Sequence, residues 1–176
     1  MKSSVNITSK EYFRALQIIY AALIAGQVLF GLIAVLVLKN SGAFIAEVDI
    51  LKIFSILVPV VVVAGIAGSH FVFRSRLLKL KALKEIKEIM PQYRAALVVR
   101  YAFLEGPSFL SILSYLMTGN SFFLIVAALI IVLFLMLKPS RERAVNELAL
   151  NPDNEKLIFN HDAIVEVAFT ENDGEK

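Results

Sequence analysis

Long stretches without a charged residue alternate with short charged segments along this chain. Residues 15–38, 53–73 and 106–137 contain no Asp, Glu, Lys or Arg. About 20 apolar residues in a helix cross the hydrocarbon layer of a bilayer. Backbone groups in that layer must hydrogen bond internally, which favours helices over strands. The pattern therefore predicts an all-α, polytopic membrane protein.

The third uncharged run is too long for one crossing and is interrupted by the sequence 118-TGNS-121. Gly and Asn together interrupt helices strongly, so we expect two spans on either side of this turn. The prediction is a bundle of four transmembrane helices within residues 1–138. Its spans cover about 12–38, 53–73, 95–117 and 121–137.

The composition agrees with this class. Of the 176 residues, 58% are hydrophobic, and the mean hydropathy is +0.73, whereas soluble domains are nearer half apolar. There is no cysteine, which excludes disulfides and thiolate metal sites. The net charge of +3 would suit nucleic acid, but the placement of the charges favours a lipid surface, and we expect no nucleic-acid partner.

The basic residues are concentrated in particular connecting segments. Residues 74–94 carry seven basic residues against two acidic ones, and both the N-terminus and the end of the fourth span are also basic. By contrast, the 39–52 loop is balanced and the 118–121 turn is uncharged. Because basic residues near span ends collect on the cytoplasmic side, we expect both termini in the cytoplasm, with the chain in a bacterial inner (plasma) membrane.

The segment of about 74–90 has helical spacing of apolar residues with lysines opposite, which predicts a cytoplasmic amphipathic basic helix. Its cations would contact anionic lipid headgroups, and a docking face for a partner helix is the alternative. The predicted headgroup-contact residues are Arg74, Arg76, Lys79, Lys81, Lys84 and Lys87.

Residues 139–176 are predicted to form a cytoplasmic acidic tail that is partly helical, folds against the basic segment and ends in disorder. Asn151 and Pro152 form a typical helix start. The stretch 162-DAIVEVAF-169 suits either a strand or a helix, and the sequence does not decide between them.

A shift of 80 residues places 13–37 over 93–117 with five identities. Either a duplicated helical hairpin or a chance likeness between two apolar helices explains this. The small-residue pairs Ala22/Gly26 and Ala64/Gly68 are of the kind that lets helix backbones approach closely.

Several polar residues interrupt the predicted spans. A charged side chain in the bilayer is costly, so it usually faces the bundle and finds a partner. Tyr101, Glu105 and Ser108 share one helix face, which we expect to point inward. The predicted intramembrane polar site comprises Glu105, Arg100, Tyr101, His70, Tyr20, Gln27 and Ser108.

Each charged member of this site has two interpretations. Glu105 either titrates, with His70 or Tyr101 passing its proton on, or is fixed by a structural partner. Arg100 alternatively extends to the inner headgroups, and His70 alternatively bonds a backbone carbonyl near the membrane surface.

The stretch 101-YAFLEGPSFLSILSYLM-117 resembles the acid-bearing second helix of rotary ATP synthase proteolipids, in which a lone carboxylate follows a basic cytoplasmic loop and precedes a proline. The resemblance implies a proton-carrying role for Glu105 alone. It covers about a tenth of the chain. No glycine-repeat helix precedes this stretch, Pro107 stands one place early, and four spans are predicted, so the likeness is an analogy rather than membership.

The sequence lacks a glycine-rich phosphate loop and an HExxH motif, and its two histidines, His70 and His161, stand far apart. We therefore expect no catalytic activity, no cofactor and no metal site. Two hypotheses follow. The first is a small non-enzymatic membrane protein that forms a homo-oligomer or a subunit of a larger membrane complex. The second is a translocator of protons, ions or small solutes that uses Glu105.

Overall fold

A computed structural model describes residues 3–41 and 48–170. The predicted disordered end and the middle of the 39–52 loop lie outside these residues. The described residues form six helices and two strands, in the order β1 (Ser3–Thr8), α1 (Ser9–Ser41), α2 (Val48–Leu80), α3 (Ile86–Thr118), α4 (Ser121–Leu135), α5 (Arg141–Leu148), α6 (Pro152–Phe159) and β2 (Ile164–Thr170).

The three long helices α1, α2 and α3 contain the first three predicted spans. Each has 33 residues, which at 1.5 Å per residue is about 50 Å. All three are long and apolar enough to cross a membrane, which confirms a helical, membrane-type chain. The helix α4 is apolar but has only 15 residues, so it ends short of the predicted 121–137 span.

The predicted break at 118–121 is present. Gly119 has a φ of 67°, and its N–H donates to the Tyr115 carbonyl at 2.8 Å, which is a common way to end a helix. Asn120 then caps α4, because its side chain accepts from the Phe122 N–H at 2.9 Å. Glycine and asparagine thus provide the two conformations that the turn needs.

The predicted single helix over 74–90 is divided in the structure. The helix α2 continues to Leu80, a turn follows, and α3 begins at Ile86. Leu80 and Ile86 are both buried, whereas Leu78, an apolar residue of the same segment, is 65% exposed. The burial of the two residues that flank the turn accounts for a reversal of the chain here rather than a continuous amphipathic helix.

The chain forms two compact units, to which α1, α2 and α3 each contribute. The first, called the polar unit, contains residues 1–18, 74–97 and 139–176, and the second, called the apolar unit, contains residues 19–73 and 98–138. In the apolar unit, side chains from α1, α2, α3 and α4 form one buried cluster. Its members are Ala34, Val58, Ile112, Tyr115, Phe123 and Ala127.

The polar unit contains a two-stranded antiparallel sheet. The strand β1 pairs with β2, with Ser3 opposite Thr170 and Val5 opposite Ala168. The undecided 162–169 stretch is therefore a strand, and its partner at the N-terminus was not predicted. The helix start at Asn151 and Pro152 is confirmed, since the Asn151 side chain accepts from the Asn154 N–H at 2.8 Å.

The close approach of α2 and α3 depends on Gly65. A Cβ atom at this position would lie 2.6 Å from the Phe103 carbonyl oxygen and against the Pro107 ring. Gly68 is similarly covered by the Phe103 ring. Gly26 differs, since a Cβ atom there would have nothing within 4 Å. The small residues of α2 therefore serve packing within the chain, whereas Gly26 makes no such contact within the described residues.

Replacing Gly65 by alanine should destabilise the protein by about 1–3 kcal/mol, the usual cost of adding a methyl group to a well-packed site. The matched control is Gly26→Ala, which should be neutral or slightly stabilising because alanine is the better helix former. Thermal unfolding of both variants in one detergent measures the difference. Equal melting temperatures for the two variants would contradict the proposed close approach.

Candidate functional site

Two tyrosines in the apolar unit satisfy the end of α4. The Tyr20 hydroxyl donates to the carbonyls of Phe134 at 3.3 Å and Leu135 at 3.0 Å, and the Tyr101 hydroxyl donates to the Leu137 carbonyl at 3.1 Å. The last carbonyls of a helix have no intrahelical donor. Tyr20 of α1 and Tyr101 of α3 therefore supply donors to Leu135, the last residue of α4, and to Leu137 just beyond it, and both tyrosines are buried.

The helices α1 and α3 lie side by side and run in the same direction. The rings of Tyr20 and Tyr101 are 5.7 Å apart, and those of Phe30 and Phe109 are 5.5 Å apart. Each contact thus joins a residue of α1 to a residue of α3 that lies about 80 positions later in the sequence. This spacing is close to the 80-residue shift that aligns residues 13–37 with 93–117. This arrangement is the one that a parallel repeat would adopt.

Gln27 and Ser108 lie in one layer of this helix pair. Each follows its tyrosine, Tyr20 or Tyr101, by seven residues, which is about two helical turns and therefore the same face. Both residues are fully buried, at 0% exposure. Neither the Gln27 amide nor the Ser108 hydroxyl has a hydrogen-bond partner among the described residues. This Gln27–Ser108 layer is a buried polar site with unused donors and acceptors.

The other serine and threonine hydroxyls of α3 are satisfied within their own helix. Ser111 donates to the Pro107 carbonyl at 2.8 Å, Ser114 to the Leu110 carbonyl at 2.7 Å and Thr118 to the Ser114 carbonyl at 2.7 Å. Such bonds to the carbonyl four residues earlier are a common arrangement for hydroxyls in helices. Ser111, Ser114 and Thr118 therefore differ from Ser108, whose hydroxyl makes no such bond among the described residues.

Glu105 lies on α3, one turn before Ser108, and its side chain is only half-buried. In the described part of the chain, no hydrogen bond or ion pair reaches its carboxylate. Nearby Ala102 and Gly106 are exposed, and a Cβ atom at Gly106 would have nothing within 4 Å. Glu105 therefore stands at the surface of the apolar unit rather than deep inside it.

The remaining predicted members of the intramembrane site, Arg100 and His70, form no hydrogen bond or ion pair with Glu105 within the described residues. The Arg100 guanidinium stacks over the Phe73 ring at 4.3 Å from its centroid, a cation–π arrangement. His70 is exposed. The predicted site residues thus take part in the tyrosine bonds at the end of α4, the Gln27–Ser108 layer and the Arg100–Phe73 stack, beside the half-buried Glu105 carboxylate.

The predicted headgroup-contact residues of 74–87 are all exposed on the polar unit. They are Arg74, Arg76, Lys79, Lys81, Lys84 and Lys87. This exposure is compatible with the headgroup contact that the sequence suggests.

The polar unit contains a cluster of charged side chains that no local sequence pattern predicts. Arg94 forms an ion pair with Glu166 on β2, and its guanidinium lies 5.5 Å from the centroid of the Tyr12 ring. The Tyr93 hydroxyl donates to the Glu147 carboxylate at 2.7 Å. The acidic tail therefore folds against the basic segment, as expected. The sequence did contain one signal for this ion pair, because Glu166 is a lone acid inside an apolar stretch.

Burial changes the titration of Glu166. The residue is 4% exposed, and loss of hydration raises the pKa of its carboxyl above the ordinary value of 4.5, while the Arg94 guanidinium offsets part of that change. A carboxylate in this position is costly to ionise unless its basic partner stays in place.

No group of three or more metal-ligating side chains occurs among residues 3–41 and 48–170. Comparison with protein-family models, with curated proteins and with solved structures gave no match to this chain.

The raised pKa of Glu166 predicts a specific pH dependence. Since the folded state binds this proton more tightly than the unfolded state, its contribution to stability is complete below pH 4.5 and is lost as the pH rises through the folded-state pKa. The variant Glu166→Gln cannot ionise, so this fall in stability should be missing from it. Melting temperatures of wild type and variant across this pH range measure the effect.

The control for this experiment is Glu155→Gln, which changes an exposed acid on α6. It should keep the pH profile of the wild type. If Glu166→Gln also kept that profile, burial of Glu166 would not govern the titration.

Proposed function

We propose that this chain is a non-enzymatic integral membrane protein of a bacterial inner (plasma) membrane. It forms a bundle of four transmembrane helices, with both termini in the cytoplasm. It works as a module of a homo-oligomer or as a subunit of a larger membrane complex. The single observation that supports an assembly role is the half-buried Glu105 carboxylate, which has no partner within the described residues.

The three chain segments that make up the polar unit support the four-span arrangement. Its three parts, residues 1–18, 74–97 and 139–176, form one compact unit. Asn154 donates to the Lys84 carbonyl, and the Tyr12 hydroxyl donates to the Met90 carbonyl, so these parts are joined by direct contacts. Parts that fold together belong on one side of a bilayer. The chain must then cross twice between the first and second parts and twice between the second and third.

This arrangement requires α4 to complete the fourth crossing although it is short. Its 15 residues extend about 22 Å, less than the roughly 30 Å of hydrocarbon. The Tyr20 and Tyr101 hydroxyls hydrogen bond the carbonyls where α4 ends. A short helix whose end is already hydrogen bonded can stop within or near the apolar layer without leaving those carbonyls unsatisfied.

The assembly role follows from the cost of a lone carboxylate in a bilayer. An acidic side chain there is expensive unless it faces a partner or water. Glu105 lies at the surface of the apolar unit, so the partner belongs to another copy of this chain or to another membrane protein. A basic or hydrogen-bonding group on the facing helix would satisfy it.

A second candidate function is translocation of protons, ions or small solutes. The observation that favours it is the Gln27–Ser108 layer, whose buried polar groups have no partner among the described residues. Water or a small polar solute could satisfy these groups, since buried polar atoms normally find a partner. In this candidate, Glu105 is the titrating carboxylate at one end of the route.

Two substitutions at Glu105 separate the candidates. Glu105→Leu removes every polar contact, and Glu105→Gln removes only the charge and the titration. Under the assembly proposal, Glu105→Leu reduces the particle mass in mild detergent or loses a co-purifying protein, and wild-type liposomes show no proton flux. The matched control Glu85→Gln, an exposed acid outside the helices, should behave as the wild type.

The opposite result would favour translocation. In that case wild-type liposomes show proton-coupled flux, Glu105→Gln abolishes it, and the particle mass stays unchanged in both variants. Unchanged mass and co-purification in Glu105→Leu would remove Glu105 as the contact residue of an assembly.

A further inference from the structure

The polar unit contains an open cavity of about 630 Å³ that none of the predicted sites uses. Its walls come from the first turns of α1, the start of α5 and the turn before β2. Three basic side chains line it, namely Lys10, Arg14 and Arg141, together with His161. One acid, Glu142, is also part of the lining, so positive charge predominates.

Within residues 139–170, no acid of the tail forms an ion pair with these three basic residues. In the described ranges, no carboxylate lies within ion-pair distance of Lys10, Arg14 or Arg141, although α5 and α6 carry several acids. Glu11, the acid nearest in sequence, accepts instead from the N–H and hydroxyl of Thr8 at 2.9 and 2.8 Å. The cations of this cavity are therefore available to an anion.

Arg141 is held in place but keeps an unused donor. Its guanidinium lies 5.5 Å from the centroid of the buried Phe13 ring. Its Nε atom is buried and has no hydrogen-bond partner among the described residues. A guanidinium held in place in this way suits the oxygen atoms of a phosphate, because arginine binds them through parallel hydrogen bonds.

Two further groups can donate at the same wall. Ser140 accepts from the Arg143 N–H at 3.2 Å when it caps α5, which leaves its own hydroxyl proton for a ligand. His161 is fixed near the start of α1, because its carbonyl accepts from the Lys10 N–H at 3.2 Å. The start of α5 adds a favourable dipole for an anion.

We propose that this cavity binds a phosphate-bearing anion, with Arg14, Arg141 and Lys10 as its main contacts. The apolar rings of Phe13 and Phe159 on the cavity wall suit a ligand that carries apolar atoms next to its phosphate. Arg14 directly precedes the first uncharged run, and Ser140 to Glu142 follow α4. These positions suit an anionic lipid headgroup, and a soluble phosphate compound offers the same chemistry.

The test uses the full-length protein purified in a neutral detergent. One arm titrates phosphatidylglycerol and counts bound lipids by native mass spectrometry. The other arm titrates inorganic phosphate against chloride at equal ionic strength and follows the melting temperature. The double variant Arg14→Gln/Arg141→Gln should bind the ligand about tenfold more weakly or worse, because each lost charged hydrogen bond is costly.

The charge-matched control is Lys39→Gln/Lys156→Gln, two exposed lysines outside both the cavity and the predicted headgroup-contact segment. It should retain binding close to that of the wild type. If the double arginine variant fails to fold, the single variant Lys10→Gln, at an exposed position, takes its place and should weaken binding in the same direction.

The outcomes separate the sources of the phosphate. Binding in the lipid arm alone identifies a headgroup as the occupant, and binding in both arms shows that free phosphate is sufficient. The proposal is overturned if the wild type binds in neither arm. It is also overturned if the cavity variant and the control lose binding equally, which would indicate general charge attraction.

Discussion

The structure depends on the cost of leaving a polar group without a partner in hydrocarbon. This cost requires the backbone of the apolar runs to form helices, since only internal hydrogen bonds are available there. It also explains why the hydroxyls of Ser111, Ser114 and Thr118 bond carbonyls of their own helix. The same constraint accounts for the two tyrosines at the end of α4, which supply donors that the helix lacks.

Because unpaired polar groups are costly in hydrocarbon, the polar side chains that lack a partner are informative about function. Glu105 and the Gln27–Ser108 layer both carry polar atoms without partners among the described residues. They differ in location, because Gln27 and Ser108 are fully buried whereas Glu105 is half-buried at a surface. A polar group at a lipid-facing surface can be satisfied by a group on another chain, and a buried one by water or a solute. The two candidate functions correspond to these two situations.

The sequence predicted what depends on local composition. The uncharged runs predicted α1, α2 and α3, and the 118–121 turn was predicted from Gly119 and Asn120. The sheet was missed because β1 and β2 pair across most of the chain length, and the short strand β1 carries little signal of its own. The ion pair of Arg94 with Glu166 was missed for the same reason, since no local pattern brings those two residues together.

The local sequence pattern also did not predict where the helices end. Each long helix extends beyond its apolar run because the flanking residues pack in the polar unit, as Tyr12 and Ile86 do. The 74–90 segment had the periodicity of one helix, but the burial of Leu80 and Ile86 on either side of a turn overrode it. Tertiary packing, rather than amphipathic spacing, therefore decided where these helices end.

The central claim is that the chain crosses the membrane four times and returns its tail to the side of the basic segment. The chain has no cysteine, so single-cysteine variants can be labelled without background by a membrane-impermeant maleimide in intact cells. The account predicts that Ser121→Cys reacts in intact cells, whereas Glu155→Cys on α6 reacts only after lysis. Labelling of both variants in intact cells would mean that α4 does not cross, which would contradict the account.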